Sequence, residues 1–231
     1  MKIQHIFFDL DNTLWDHRRN AYLTLKEIFN KEKVSDRYPL GFEEFHTEYF
    51  TINERLWEQI RDGEIDKDYL RKHRFYDSFL FFGIDDFELA QTFENNFLDE
   101  ILNHNDLVEG AFEILEYLSN KKYKLHILSN GFKEVTYKKC ELSGIKNYFQ
   151  TITSADEINI RKPHPEVYDY ALKKAGAKTE ESMMIGDDWI ADVEGGKACG
   201  LEVVFLDVFN DNFEADGVKT IKKLKELETL L

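Results

Sequence analysis

The stretch Ile6-Phe7-Phe8-Asp9-Leu10-Asp11-Asn12-Thr13-Leu14 decides how this chain folds. Its apolar run is short and unbroken, as expected of a β-strand buried on both faces of a parallel sheet. The run then ends in two acids one residue apart, so the two carboxylates are free to take different jobs. Open α/β sheets bind their ligands beyond the carboxyl ends of such strands. A carboxylate buried there is costly unless a cation or hydrogen-bond donors meet it. Asp, Asn and Thr also close strands in ordinary Asx-type turns, and on this segment alone that reading stays open.

Outward from this strand, read as 3–10, the rest of the chain falls into two kinds of pattern. After about Leu107, strands and helices alternate. Leu125-His126-Ile127-Leu128, Phe149-Gln150-Thr151-Ile152, Met183-Met184-Ile185 and Val203-Val204-Phe205 read as strands. Helices are expected over 111–119, 133–142, 166–175 and 190–199, with Gly144, Gly176 and Gly200 closing the last three. Such alternation predicts βαβ units and a five-stranded parallel sheet in an α/β, Rossmann-like domain. Val218, Ile221, Leu224 and Leu227 then read as a terminal helical stripe packed on that sheet.

Between residues 16 and 104 no strand pattern occurs. Phe45, Tyr49, Ile52, Leu56 and Ile60 recur at helical steps, as do Phe87, Ala90, Phe93, Phe97 and Ile101, the latter after a capping Asp85-Asp86. An all-helical domain, 16–104, is therefore expected as an insertion in an α/β domain of 1–15 and 105–231. With only three prolines, the junctions are short.

The length of 231 residues suffices for one large core and a smaller companion. A formal net charge of −15 argues against nucleic-acid polymers as partners. Small phosphorylated metabolites stay compatible with it if a metal and a few cations offset the charge locally. Cys140 and Cys199 show no disulfide framework or metal spacing and read as reduced thiols. With no signal stretch or apolar run long enough to span a bilayer, a cytoplasmic protein without membrane attachment is expected.

Three further segments lie at predicted strand ends. Leu128-Ser129-Asn130-Gly131 offers a hydroxyl, an amide and a flexible backbone suited to phosphoryl oxygens, although Ser-Asn-Gly is also an ordinary turn. In Ile160-Arg161-Lys162-Pro163-His164-Pro165 two prolines fix the backbone around Lys162, which would neutralise a phosphate or a carboxylate; surface lysines in such loops are also common. Gly186-Asp187-Asp188-Trp189-Ile190-Ala191-Asp192 crowds acids whose pKa values rise unless a cation shares them, and all-oxygen ligands suit Mg²⁺. Helix capping by Asp187 or Asp188 is compatible with that.

Together and in this order, DLDNT, LSNG, RKPHPEVY and GDDWIAD resemble the four motifs of the haloacid dehalogenase superfamily, and the resemblance spans nearly the whole chain. The helical insertion resembles the superfamily's C1 cap. The segment from Trp57 through Asp62-Gly63 to Phe75 is similar to caps of the bacterial nucleoside-monophosphate phosphatase branch. The resemblance implies a phosphatase in which Asp9 is the nucleophile and Asp11 the general acid and base. It implies Mg²⁺ held by Asp9, the Asp11 main-chain carbonyl and Asp187, supported by Asp192 or Asp188. Ser129, the backbone near Asn130 and Lys162 then bind the phosphoryl group. Substrate-side candidates are Trp15, Arg61 and Gly63, Trp15 being equally readable as a hinge or core residue.

The implied substrate is a nucleoside 5′-monophosphate, a pyrimidine one foremost, rather than a phosphosugar, and the implied assembly a monomer or weak homodimer. A phosphosugar phosphatase or a phosphomutase would use the same core. A dehalogenase needs neither the proton from Asp11 nor Mg²⁺, and a non-catalytic phosphate sensor would usually lack Asp9, Asp11 or Lys162. His126, on a predicted strand, reads as a satisfied core residue.

Overall fold

A computed structural model describes residues 2–231. Six parallel strands form one sheet: β1 (His5–Phe8), β2 (Lys124–Ser129), β3 (Phe149–Ser154), β4 (Ser182–Gly186), β5 (Glu202–Leu206) and β6 (Lys219–Ile221), in the order β3-β2-β1-β4-β5-β6. β1 is therefore central, with Ile6 opposite Leu125 on one side and Met183 on the other. Ile6, Phe7 and Phe8 are all buried, as expected of a strand covered on both faces.

The sheet has one strand more than the sequence predicts. The terminal stripe is buried at Ile221, Leu224 and Leu227, but its first part is β6, with Val204–Leu206 paired to Lys219–Ile221. Only a short helix follows. Over so few residues the three-residue spacing cannot separate helix from strand, and a β-branched Val-Lys-Thr-Ile run extends a sheet readily.

The chain separates into two compact units, Met1–His17 with Asn105–Leu231, and Arg18–His104. The helical unit comprises α1 (His17–Lys31, whose first residue belongs to the sheet unit), α2 (Val34–Arg37), α3 (Phe42–Arg61), α4 (Lys67–Phe81) and α5 (Phe87–Glu100). Side chains start α4 and α5. Asp66 accepts the Tyr69 amide at 2.8 Å, and Asp86 accepts that of Leu89 at 2.9 Å. Its interior is aromatic: Phe45 stacks on Phe79 at 4.8 Å and Tyr49 on Phe75 at 4.8 Å. Each such pair adds roughly 0.5–1.5 kcal/mol beyond area burial. Inside it, Arg74 donates to Glu94 at 2.6 Å, both residues being buried.

In the sheet unit the chain leaves through a bridge of Trp15 to Leu107, with Val108 N donating to Leu14 O at 2.9 Å. The remaining helices are α6 (Ala111–Asn120), α7 (Lys133–Leu142), α8 (Pro165–Ala175), α9 (Gly195–Ala198) and α10 (Leu227–Leu230). Gly144, Gly176 and Gly200 have φ of 79°, 61° and 80°, the left-handed stops their positions predict. The expected α-helix over 190–199 is not regular. Trp189–Glu194 winds as a wider π-type turn before α9. Within it the Asp192 side chain turns back to accept the Asp188 amide at 3.1 Å. Among the described residues no helix is long and apolar enough to cross a membrane.

Candidate active site

Asp9 directly follows β1, and its amide still pairs with Ile185 O at 2.9 Å, so the sheet ladder fixes it. The chain then reverses. Asn12 has φ 62°, and the amides of Leu14 and Trp15 both reach Leu10 O. Asn suits this left-handed position better than most residues. Thr13, fully buried, donates to Asp187 Oδ1 at 2.7 Å and ties this turn to the loop after β4.

Lys162 enters from the loop before α8. The Asn130 side chain clamps its backbone in both directions: Nδ2 donates to Lys162 O at 3.0 Å and Oδ1 accepts Lys162 N at 2.8 Å. The buried Lys162 ammonium then lies 2.6 Å from both Asp9 Oδ1 and Asp192 Oδ1. Gly186 is required here, because a Cβ on it would fall 2.0 Å from Asp192 Oδ2. Nearby, the Ser129 hydroxyl accepts the Gly131 amide at 3.0 Å.

The carboxylates of Asp9, Asp187 and Asp192 bring oxygens within 4.8 Å of one another. Burial, opposed by Lys162 and reinforced by Asp192 and Asp11, raises the Asp9 pKa to about 8. Burial and then the Asp9 and Asp192 charges push Asp187 well up. Desolvated, mutually repelling oxygens of this kind fit a hard divalent cation such as Mg²⁺, whose charge would offset both effects. Asp188 stands outside the cluster and caps the following turn, its Oδ1 accepting the Ala191 amide at 2.8 Å.

Asp11 is partly exposed. Lys139, on α7, donates to Asp11 Oδ1, and His17 Nδ1 lies 3.7 Å from the same oxygen. Burial alone would raise the Asp11 pKa, but Lys139 and then His17 outweigh it and hold it below the usual carboxylate value.

The sequence-predicted residues thus converge in part. Asp9, Asp187, Asp192 and Lys162 meet, and Asn130 serves through its grip on the Lys162 backbone. Trp15 is fully buried, with the Lys139 ammonium 4.0 Å from its ring centroid. Arg61 is bound to its neighbour Asp62 at 2.8 Å, and Gly63, φ 75°, closes the turn after α3. Thr13 and Lys139 were not singled out by sequence reasoning. A threonine in a turn and one of two adjacent lysines on a helix carry no distinguishing signal until folding gives them partners.

A model of the haloacid dehalogenase-like hydrolases matches residues 3–200. The pyrimidine 5′-nucleotidase YjjG of Escherichia coli is 28% identical over 235 residues, covering 100% of this chain and 99% of its own. The pyrimidine 5′-nucleotidase PynA of Streptococcus pneumoniae is 26% identical over 208 residues, covering 89% and 84%. The crystal structure of YfnB from Bacillus subtilis, bound to magnesium, superposes with a TM-score of 0.89 at 24% identity, covering 100% of this chain and 99% of that one.

Proposed function

We propose that this chain, which belongs to the haloacid dehalogenase-like hydrolases, is a Mg²⁺-dependent phosphomonoesterase acting on nucleoside 5′-monophosphates, pyrimidine ones foremost. The observation that carries the reading is the meeting of Asp9, Asp187, Asp192 and Lys162 at the carboxyl ends of β1 and β4. The nucleotide assignment draws on the pyrimidine nucleotidases among its relatives and on the likeness of Trp57 to Phe75 to nucleotidase caps.

In this reading Asp9 attacks phosphorus, the bond to the leaving oxygen breaks, and Asp11, which first takes up a proton from solvent against the pull of Lys139 and His17, supplies that oxygen's proton. Asp11 then takes a proton from the water that attacks the aspartyl-phosphate, releasing phosphate and regenerating Asp9. Ser129 and the amides around Gly131 bind phosphoryl oxygens, and Lys162 offsets their charge. Asp9, the Asp11 carbonyl and Asp187 would hold the metal, with Asp192 behind them. Bound there, Mg²⁺ supplies positive charge against which a phosphate dianion can approach a nucleophilic carboxylate. The helical unit acts as the cap that selects the substrate, and the protein as a monomer or weak homodimer. The dehalogenase alternative has no use for Asp11 or for a cluster of acids.

The test is phosphate release from a panel of nucleoside 5′-monophosphates, hexose phosphates and triose phosphates, with and without Mg²⁺. Pyrimidine 5′-monophosphates are expected to give the highest kcat/KM, and Asp9→Asn to give no turnover while remaining folded. Best turnover on a sugar phosphate overturns the nucleotide assignment, and an active Asp9→Asn overturns the nucleophile.

A further inference from the structure

Lys139 is buried, its side chain only 5% exposed, although it lies on a helix whose neighbouring lysine reads as a solvated one. Burying an ammonium costs free energy that a Met or Leu at the same place would avoid. What it gains is specific. Its Nζ donates to Asp11 Oδ1 while resting 4.0 Å from the centroid of the buried Trp15 ring. His17 approaches that same oxygen. The other oxygen, Oδ2, lies 3.3 Å from where a Cβ on Gly131 would stand, a point 3.1 Å from the Ser129 hydroxyl oxygen.

Asp11 needs such a hold. It sits in a turn, is partly exposed, and its carboxylate rotates about two side-chain bonds. A proton-transferring group has to lie within hydrogen-bond reach of its target. A displacement near 1 Å can cost about 100-fold in rate.

We propose that Lys139 is a positioning residue for Asp11. Seated over the Trp15 ring, its ammonium holds Oδ1, so that Oδ2 faces the loop Ser129–Asn130–Gly131. Because α7 begins two residues after that loop, one helix sets both the phosphoryl-binding backbone and the acid/base group. Lys139 does not touch the reacting atoms. This inference rests on the reading of Asp11 as acid and base.

The experiment is a double-mutant cycle of Lys139→Met and Asp11→Asn, read as kcat and KM on p-nitrophenyl phosphate with Mg²⁺, with circular dichroism and melting curves for every variant. Lys139→Met should lower kcat about 10- to 100-fold, with KM changed less than about twofold. In the Asp11→Asn background the same substitution should change kcat less than about twofold, because its target is already gone. Lys139→Arg, which keeps a donor, should recover most of the rate. If Lys139→Met fails to fold, Lys139→Gln replaces it in the cycle with the same expected non-additivity. Equal losses in both backgrounds, or a fully active Lys139→Met, overturn the proposal while leaving the acid/base reading standing. A fully active Asp11→Asn removes that reading instead, and this proposal with it.

Discussion

Replacing His126 with Gln should make the protein less sensitive to acid. His126, on β2, is fully buried: Nε2 lies 3.0 Å from His5 Nδ1, Nδ1 lies 2.9 Å from Thr151 Oγ1, and the ring stacks on Phe7 at 4.6 Å. Burial, and then the positive charge of His5 and Lys124, lowers its pKa to about 3. The unfolded chain takes up this proton near pH 6.5, whereas the folded chain resists it until far lower. The stabilisation is therefore complete above about pH 6.5 and is lost as pH falls from there toward 3. At about 1.4 kcal/mol per pH unit, roughly 2 kcal/mol is gone near pH 5. Gln cannot be protonated, and its own cost is the same at both pH values. Urea unfolding of both proteins near pH 7.5 and near pH 5 reads the difference, and the wild type should lose about 2 kcal/mol more than the variant. Equal losses would show that His126 is protonated in the folded protein at little cost, and would refute the reasoning.

Gly186→Ala should push Asp192 off Lys162 and off the Asp188 amide, destabilising by about 3 kcal/mol and weakening Mg²⁺ binding at least tenfold; calorimetric titration with Mg²⁺ alongside urea melts checks both, and an unchanged Kd counts against it. In the helical unit, Arg74→Met strips Glu94 of its 2.6 Å partner and leaves it only the partly exposed Arg71 at 3.0 Å, and a loss of about 2–3 kcal/mol is expected. Arg74→Met with Glu94→Leu should cost less than the single change, since no buried charge then remains and Arg71, which loses Glu94, is partly exposed; denaturation midpoints decide. Phosphate release should stop in EDTA and return with Mg²⁺, with Ca²⁺ inhibiting because it prefers more ligands and longer bonds. Full activity after thorough chelation would sink the metal requirement.

Much of the sheet was legible because β1, β4 and β5 carry short apolar runs that end at an acid or glycine, and a doubly covered parallel strand leaves that signature. β6 was not, since Lys219-Thr220-Ile221 lies on an edge and its pattern is too short to carry a period. The wide turn at Trp189–Glu194 was equally hidden, because it exists to let Asp192 fold back, a tertiary demand that local propensity does not contain. At the site, Asp9 and Lys162 stood out because an acid at a strand end and a lysine directly before a Pro-His-Pro run are locally unusual. Lys139 is locally ordinary. Its partner lies 128 residues away, and only the crossing of α7 over the turn after β1 reveals it.

The central position of β1 also bears on how the chain matures during synthesis. β1 is made long before both its neighbours: His5 faces Lys124 on one side and Ser182 on the other. Until β2 and β4 leave the ribosome, Ile6, Phe7 and Phe8 have no strand to pair with and present an adhesive edge. The helical unit, by contrast, is contiguous from Arg18 to His104. It is emitted whole in that interval, and its nearby contacts let it condense before the slower long-range pairing. The carboxylate at position 9 is thus translated long before Lys162, Asp187 and Asp192, the groups that come to surround it.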